Sequence, residues 1–339
     1  MKKIANIFER LINKVIATLR SLLKMNRPMS FSNVEFFSND NEVIILGRVI
    51  EKAPFLDFDS KSSLVSHFFN VLRLFLSFKV PDLKVKALGE CVVTNSEGYF
   101  KMRAALPEPL QNKKPHLATL ETEARNYKGE KVHAQMTLSI PPTSGSLGEL
   151  IISDVDDTVL KSRATSFWRL TFNTLFMPVH KRQAFPEASE IYQKMKMAKS
   201  AGENNLFFYI SSSTWNIYPL LASFLRTNRF PHGPLILQDM KGDEALNVEF
   251  SHGHKLKKIS EIAEFYPNLN MILIGDAGQE DATIYLSVAE KFPSRVKRIL
   301  IRKSWWEGGF VEPQENLDLA KRLGVEMLYF DDLTQIIRD

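Results

Sequence analysis

An apolar run that ends abruptly in acids constrains this chain more than anything else in it. Ile151 and Ile152 lead into Ser153-Asp154-Val155-Asp156-Asp157-Thr158 and Val159. Such a run, bounded by polar residues, reads as a buried parallel strand whose last residues reach the loop beyond the sheet. In open α/β sheets that carboxyl end is where ligands bind. Gathering acids there is costly unless a cation or hydrogen-bond donors compensate, so a divalent metal with one carboxylate left to react is the economical reading. A loop of solvated acids is the plain alternative, and the surrounding sequence has to decide.

With 339 residues the chain exceeds one typical small domain, and two domains are expected. Cys91 is the only cysteine, which excludes an internal disulfide and suits a reducing compartment. The net charge of +5 favours an anionic partner without identifying it.

Residues 1–27 read as a basic amphipathic helix. Lys2, Lys3, Arg10, Lys14, Arg20 and Lys24 lie on one half, and Ile4, Ile7, Leu11, Val15 and Leu22 on the other. The charges interrupt any apolar core of a secretory signal, and no cleavage site follows. Two readings stay open: the helix lies in a membrane interface, or it docks its apolar face on this chain or a second copy.

From Asn41 the pattern changes to period two. Glu42–Ile50, Lys84–Thr94, Tyr99–Ala105 and Lys131–Ile140 read as strands, the second and third joined through Asn95-Ser96-Glu97-Gly98 as a hairpin. A small antiparallel β-sandwich is expected over residues 28–142. An apolar stretch at 63–80 interrupts it, rich in Leu and Phe but holding His67, Asn70 and Arg73. A packed helix is the first reading there and peripheral membrane contact the second. Pro141-Pro142-Thr143-Ser144-Gly145-Ser146-Leu147-Gly148 is the linker.

Residues 143–339 alternate strand and helix, which means a parallel sheet wound by helices. A helix is expected over Ala188–Ala201, stopped by Gly202. Strands are expected at Asn205–Ile210, Asn270–Gly275, Arg298–Ile301 and Glu326–Phe330. Ser211 follows the first of these and Asp276 the second, with Asp281 shortly after, and Lys255 opens an intervening helix. Adjacent ends of a parallel sheet are close together, so these groups can meet in one crevice.

The combination resembles the four motifs of the haloacid dehalogenase superfamily of phosphoryl-transfer enzymes. The neighbouring residues are narrower: Ser153 to Thr158, Phe208 to Pro219, His254-Lys255-Leu256 and Ile274 to Asp281 are similar to the actin-patch-protein type of phosphatidate phosphatase catalytic domain. The resemblance covers about Glu149 to Lys303. One departure is Thr214, where the family often has proline. The resemblance implies a HAD-like Rossmannoid sheet and a magnesium-dependent phosphatase. Asp154 would be the nucleophile that forms an aspartyl-phosphate, and the carboxyl of Asp156 would move the protons. Mg2+ would be held by Asp154, the Asp156 carbonyl and Asp276, with Asp281 behind them. Ser211 and Lys255 would hold phosphoryl oxygens.

Thr158, Ser212, Trp215 and Arg163 are further candidates on the substrate side. Lys161–Phe185 mixes bases with aromatics and suits an anionic amphiphile such as phosphatidate, although a packed lid with a basic edge has the same composition. Nucleic acid is not expected, because no basic stripe or binding module accompanies the site. The function expected is hydrolysis of phosphatidate to diacylglycerol by a cytoplasmic protein at an anionic membrane surface. The alternatives are the same chemistry on a soluble sugar or nucleotide phosphate, or a catalytically quiet membrane-associated binding module.

Overall fold

A computed structural model describes residues 28–51, 80–107, 115–125, 130–141, 147–155, 188–197, 204–238, 248–277, 280–303 and 310–337. The helix expected over 1–27, the apolar stretch 63–80 apart from Val80, and the basic and aromatic segment 161–185 lie outside the described residues. The described chain divides into two compact units, parting between Pro142 and Thr143.

The first unit is all antiparallel. Strands β1 (Met29–Ser38) and β2 (Glu42–Glu51) are joined by a turn in which Asn39 Oδ1 accepts from the amides of Asn41 and Glu42, each at 3.0 Å. With β3 (Lys84–Ala87), β4 (Glu90–Val93), β5 (Tyr99–Ala105), β6 (His116–Arg125) and β7 (Lys131–Ile140) they make two sheets, ordered β1-β2-β5 and β4-β3-β6-β7. Val43, Ile45, Val49 and Met102 of the first sheet share one core with Val85, Leu120, Leu138 and Ile140 of the second. Alternating inward positions from two sheets around one core make the expected sandwich.

Two details differ from the sequence reading. Lys84–Thr94 is not one strand but a tight β3–β4 hairpin, turning at Leu88 (φ 51°) and Gly89 (φ 82°). Positive φ at two successive residues is the two-residue turn whose twist matches a hairpin. Asn95–Gly98 does not close a hairpin either. β4 and β5 belong to different sheets, so this turn carries the chain from one layer to the other. Asn95 Oδ1 holds it by accepting from the amides of Glu97 and Tyr99, both at 2.9 Å.

The second unit is a six-stranded sheet. Its strands are β8 (Leu147–Asp154), β9 (Asn204–Thr214), β10 (Leu235–Gln238), β11 (Met271–Asp276), β12 (Val296–Arg302) and β13 (Glu326–Phe330), in the order β10-β9-β8-β11-β12-β13, every pair parallel. Helices α1 (Ala188–Lys196), α2 (Tyr218–Thr227), α3 (Val248–Phe265), α4 (Asp281–Lys291) and α5 (Gln314–Arg322) accompany it. The central strands are apolar without alternation because both faces are covered: Leu150–Ile152, Phe207–Ile210, Met271–Ile274 and Ile299–Ile301 are all buried. β9 runs on through Ser211–Ser213, farther than Ile210, and β10 was not anticipated at all. Helix α1 is described to Lys196, and residues 198–203 lie outside the described residues.

From β8 the chain builds outward through β9 and β10, then returns to β11 on the other side and builds outward through β12 and β13. The direction of winding therefore reverses between β8 and β11. A reversal of this kind leaves a crevice at the carboxyl ends of the two strands. β8 ends on Asp154 and β11 ends on Asp276.

Candidate active site

Five side chains predicted from the sequence are brought to this end of the sheet. Asp154 and Asp276 close β8 and β11, Ser211 lies near the end of β9, Lys255 is on α3, and Asp281 opens α4. None is more than 2% exposed. The start of a helix favours a negative charge, which suits Asp281. Glycine at 275 makes the arrangement sterically feasible, because a Cβ there would lie 2.5 Å from Asp281 Oδ2 and 2.7 Å from Asp281 Cβ.

Lys255 joins the acids. Its Nζ lies 2.8 Å from Asp154 Oδ1 and 2.6 Å from Asp281 Oδ1. Asp281 Oδ2 accepts from the amide of Asp276 at 3.2 Å. Burial works against the lysine's charge, but Asp154 first, then Asp281 and Asp276, outweigh it and its pKa is raised. Lys255 is therefore a fixed cation at any physiological pH.

Asp154, Asp276 and Asp281 can each offer one carboxylate oxygen with all three within 4.8 Å of one another. Three buried carboxylates against the ammonium of Lys255 leave a negative excess, and the donors are all hard oxygens. That fits a hard divalent cation.

Ser211 Oγ accepts from the amide of Ser213 at 2.9 Å, which orients the hydroxyl. Ser212 is half-buried on the same strand. Trp215 is buried in the turn Trp215–Ile217 and stacks on Tyr218, with ring centroids 5.6 Å apart. Asp156, Thr158 and Arg163 lie outside the described residues. His254, beside Lys255, is half-buried; burial, then Lys258, push its pKa down to about 4.

The structure adds residues to which the sequence assigned no role. Ser153 and Ile274 are register partners on β8 and β11, and each meets a tyrosine. The Ser153 hydroxyl lies 2.9 Å from Tyr192 of α1, and Tyr285 of α4 donates to the carbonyl of Ile274 at 3.0 Å. Arg302, at the end of β12 and opposite Asp276 in the register, is buried with its guanidinium over the Phe330 ring. Burial brings its pKa down to about 10, against the pull of Tyr192, Asp332 and Asp276. Ser153 carried a weak signal as the one polar residue inside the apolar run. The tyrosines carried none, since an aromatic residue on a helix reads as core.

Residues 150–303 match the model of the family described as phosphatidate phosphatase APP1, catalytic domain. The match covers just under half of the chain. All five converging side chains fall inside it.

Phosphatidate phosphatase APP1 of Saccharomyces cerevisiae is 29% identical over 154 residues, covering 45% of this chain and 25% of that protein. An uncharacterized protein of Schizosaccharomyces pombe is 26% identical over 212 residues, covering 62% of this chain and 34% of its own. The chain thus matches 25% and 34% of the length of these relatives. Among solved structures, a 2,6-sialyltransferase of Photobacterium sp. JT-ISH-224 aligns over 66% of this chain and 37% of its own at 11% identity and a TM-score of 0.21, too low to inform the fold.

Proposed function

We propose that this chain is a magnesium-dependent phosphatase that hydrolyses a phosphomonoester through an aspartyl-phosphate, with phosphatidate at an anionic membrane surface as the substrate the family match favours. The observation that carries the chemistry is the buried contact of Lys255 with both Asp154 and Asp281, with Asp276 alongside.

Asp154, Asp276 and Asp281 would hold the ion, together with the carbonyl of Asp156 that the family resemblance implies. When bound, Mg2+ supplies charge neutralisation for the phosphoryl oxygens. The rest falls to the protein. The Asp154 carboxylate attacks phosphorus and the bond from phosphorus to the ester oxygen breaks. The carboxyl of Asp156 gives its proton to that oxygen. It then takes one from the water that attacks phosphorus, breaking the bond to Asp154 and releasing inorganic phosphate. Lys255 holds Asp154 ionised and in place, and with the Ser211 hydroxyl it meets the phosphoryl oxygens. A carboxylate attacks an anion poorly, so a fixed, desolvated cation touching it supports this role.

Release of diacylglycerol from phosphatidate vesicles, run beside a panel of soluble sugar and nucleotide phosphates, tests the proposal. Activity is expected with Mg2+, lost on chelation, and lost in Asp154→Asn. Full activity in Asp154→Asn overturns the mechanism. Hydrolysis confined to soluble esters moves the substrate class while keeping the chemistry. No magnesium-dependent hydrolysis of any ester leaves the binding-module reading. Among the described residues no helix is long and apolar enough to cross a membrane. Vesicle co-sedimentation of the full chain measures surface association.

A further inference from the structure

The backbone of the proposed nucleophile is held from behind by two hydroxyls to which the proposed chemistry assigns no part. Ser153 Oγ donates to the carbonyl oxygen of Asp154 at 2.7 Å. A serine hydroxyl has one proton, and here it is committed to that carbonyl. The hydroxyl of Tyr192, 2.9 Å from Ser153 Oγ, is therefore the donor in their contact. The result is a directional chain from Tyr192 through Ser153 to the peptide that follows the nucleophile.

The chain is buried and closely packed. Ser153, Asp154 and Tyr192 are buried, and the Tyr192 ring packs against Phe207 at 5.8 Å and edge-on to Phe230 at 5.4 Å. Burial raises the tyrosine's pKa, so it stays a donor throughout the working range. Backbone ladders already hold Ser153 and Asp154 on the side of β9, where they are register partners of Tyr209 and Ile210. Beyond Asp154 the strand ends, so its ladder with β9 is the last that this strand offers the peptide linking Asp154 to Val155, and the Ser153 hydroxyl adds a side-chain constraint from the other direction of the chain. Hydrogen bonds in series inside a low-dielectric interior reinforce one another.

We infer that Ser153 and Tyr192 are positioning residues: their hydrogen-bond relay fixes the peptide plane between Asp154 and Val155, and so the aim of the Asp154 carboxylate. This rests on the proposed phosphatase chemistry for its catalytic consequence, and on geometry alone for the relay. A small error in the aim of a nucleophile slows the chemical step without weakening ground-state binding.

The test uses the full chain with Ser153→Ala, Tyr192→Phe and the double variant. Asp154-Val155 is the sole Asp-Val pair in the sequence, so labelling aspartate with carbonyl 13C and valine with 15N yields a single correlated peak for this peptide. Both single substitutions should move that carbonyl resonance upfield while resonances elsewhere show an intact fold. In the active enzyme, kcat should fall about tenfold in each single variant and no further in the double, with KM within about twofold of wild type. A carbonyl resonance that ignores Tyr192→Phe overturns the relay. Unchanged kcat in both variants, or a loss that appears only in KM, overturns its positioning role. A wild-type chain with no phosphatase activity would remove the proposed function and with it the catalytic role, whereas the resonance still decides whether the relay exists.

Discussion

Gly275 and Asp281 are packed so closely that only a hydrogen fits between them: a Cβ at residue 275 would lie 2.5 Å from the Asp281 carboxylate and 2.7 Å from Asp281 Cβ. The second contact is to an atom tied to the first turn of α4, which cannot swing aside. Gly275→Ala must therefore push the end of β11 away from α4. We expect a stability loss of about 1–3 kcal/mol by urea denaturation, the usual range for overpacking. Phosphatase activity should fall much further than stability, because Asp281 carries both Lys255 and the Asp276 amide. A stable variant with wild-type activity would show that the site tolerates the shift.

The two turn glycines of the β-sandwich should respond differently to alanine. Gly89 (φ 82°) has open space where a side chain would go, whereas at Gly98 (φ 81°) a Cβ would lie 2.6 Å from the carbonyl oxygen of Val49. Gly89→Ala pays only the left-handed backbone term, about 1–2 kcal/mol. Gly98→Ala adds a backbone clash and strains the hydrogen bond from the Val49 amide to the Gly98 carbonyl, 2.8 Å long. Gly98→Ala should therefore be the more destabilising by at least about 1 kcal/mol in equilibrium unfolding. Equal losses would mean that the sheet crossing at Asn95–Gly98 yields easily.

The parallel sheet and its site were legible in the sequence because both leave local marks. A strand covered on both faces is an unbroken apolar run, and Asp154, Ser211 and Asp276 each follow such a run directly. What was missed lacks a local mark. The β3–β4 hairpin turns at Leu88-Gly89, and leucine at positive φ is uncommon enough that no turn rule points to it. β10 is only Leu235–Gln238, too short for a period to show. Whether Asn95–Gly98 joins strands of one sheet or two depends on tertiary pairing, which the turn residues do not encode. Tyr192 and Tyr285 act through their hydroxyls, and helix position alone cannot separate that use from core packing.

The pH dependence of stability should carry the mark of His254. Its pKa is pushed down to about 4, by burial first and then by Lys258, Lys255 and Lys257, against the opposing pull of Glu261. The unfolded chain binds the proton near its ordinary 6.5, so the stability from keeping this imidazole neutral is complete above that pH and drains away as the pH falls toward 4. His254→Gln removes the titration. Relative to wild type the variant should gain about 2 kcal/mol between pH 7 and pH 5. The measurement is paired chemical denaturation at the two pH values, and parallel curves for wild type and variant would refute the assignment.

Lys255→Met separates the electrostatic role of the lysine from its volume. The buried ammonium touches Asp154 and Asp281, and methionine fills most of the same space without the charge. Removing one partner of a buried ionic cluster leaves the others uncompensated, so the metal-free variant should lose about 3–5 kcal/mol of stability. Added Mg2+ should restore part of that loss, since a cation held by the same carboxylates supplies the missing positive charge. Turnover should stay depressed by about two to three orders of magnitude even at saturating Mg2+, because the ion cannot replace the ammonium that touches Asp154. The raised pKa of Lys255 sets the sign of its own pH effect: its contribution is complete below the unfolded value of 10.5 and is lost only as the pH rises through the higher folded value. The lysine therefore adds no pH dependence near neutrality, and a variant whose activity recovers fully with Mg2+ would show that Lys255 serves only to balance charge.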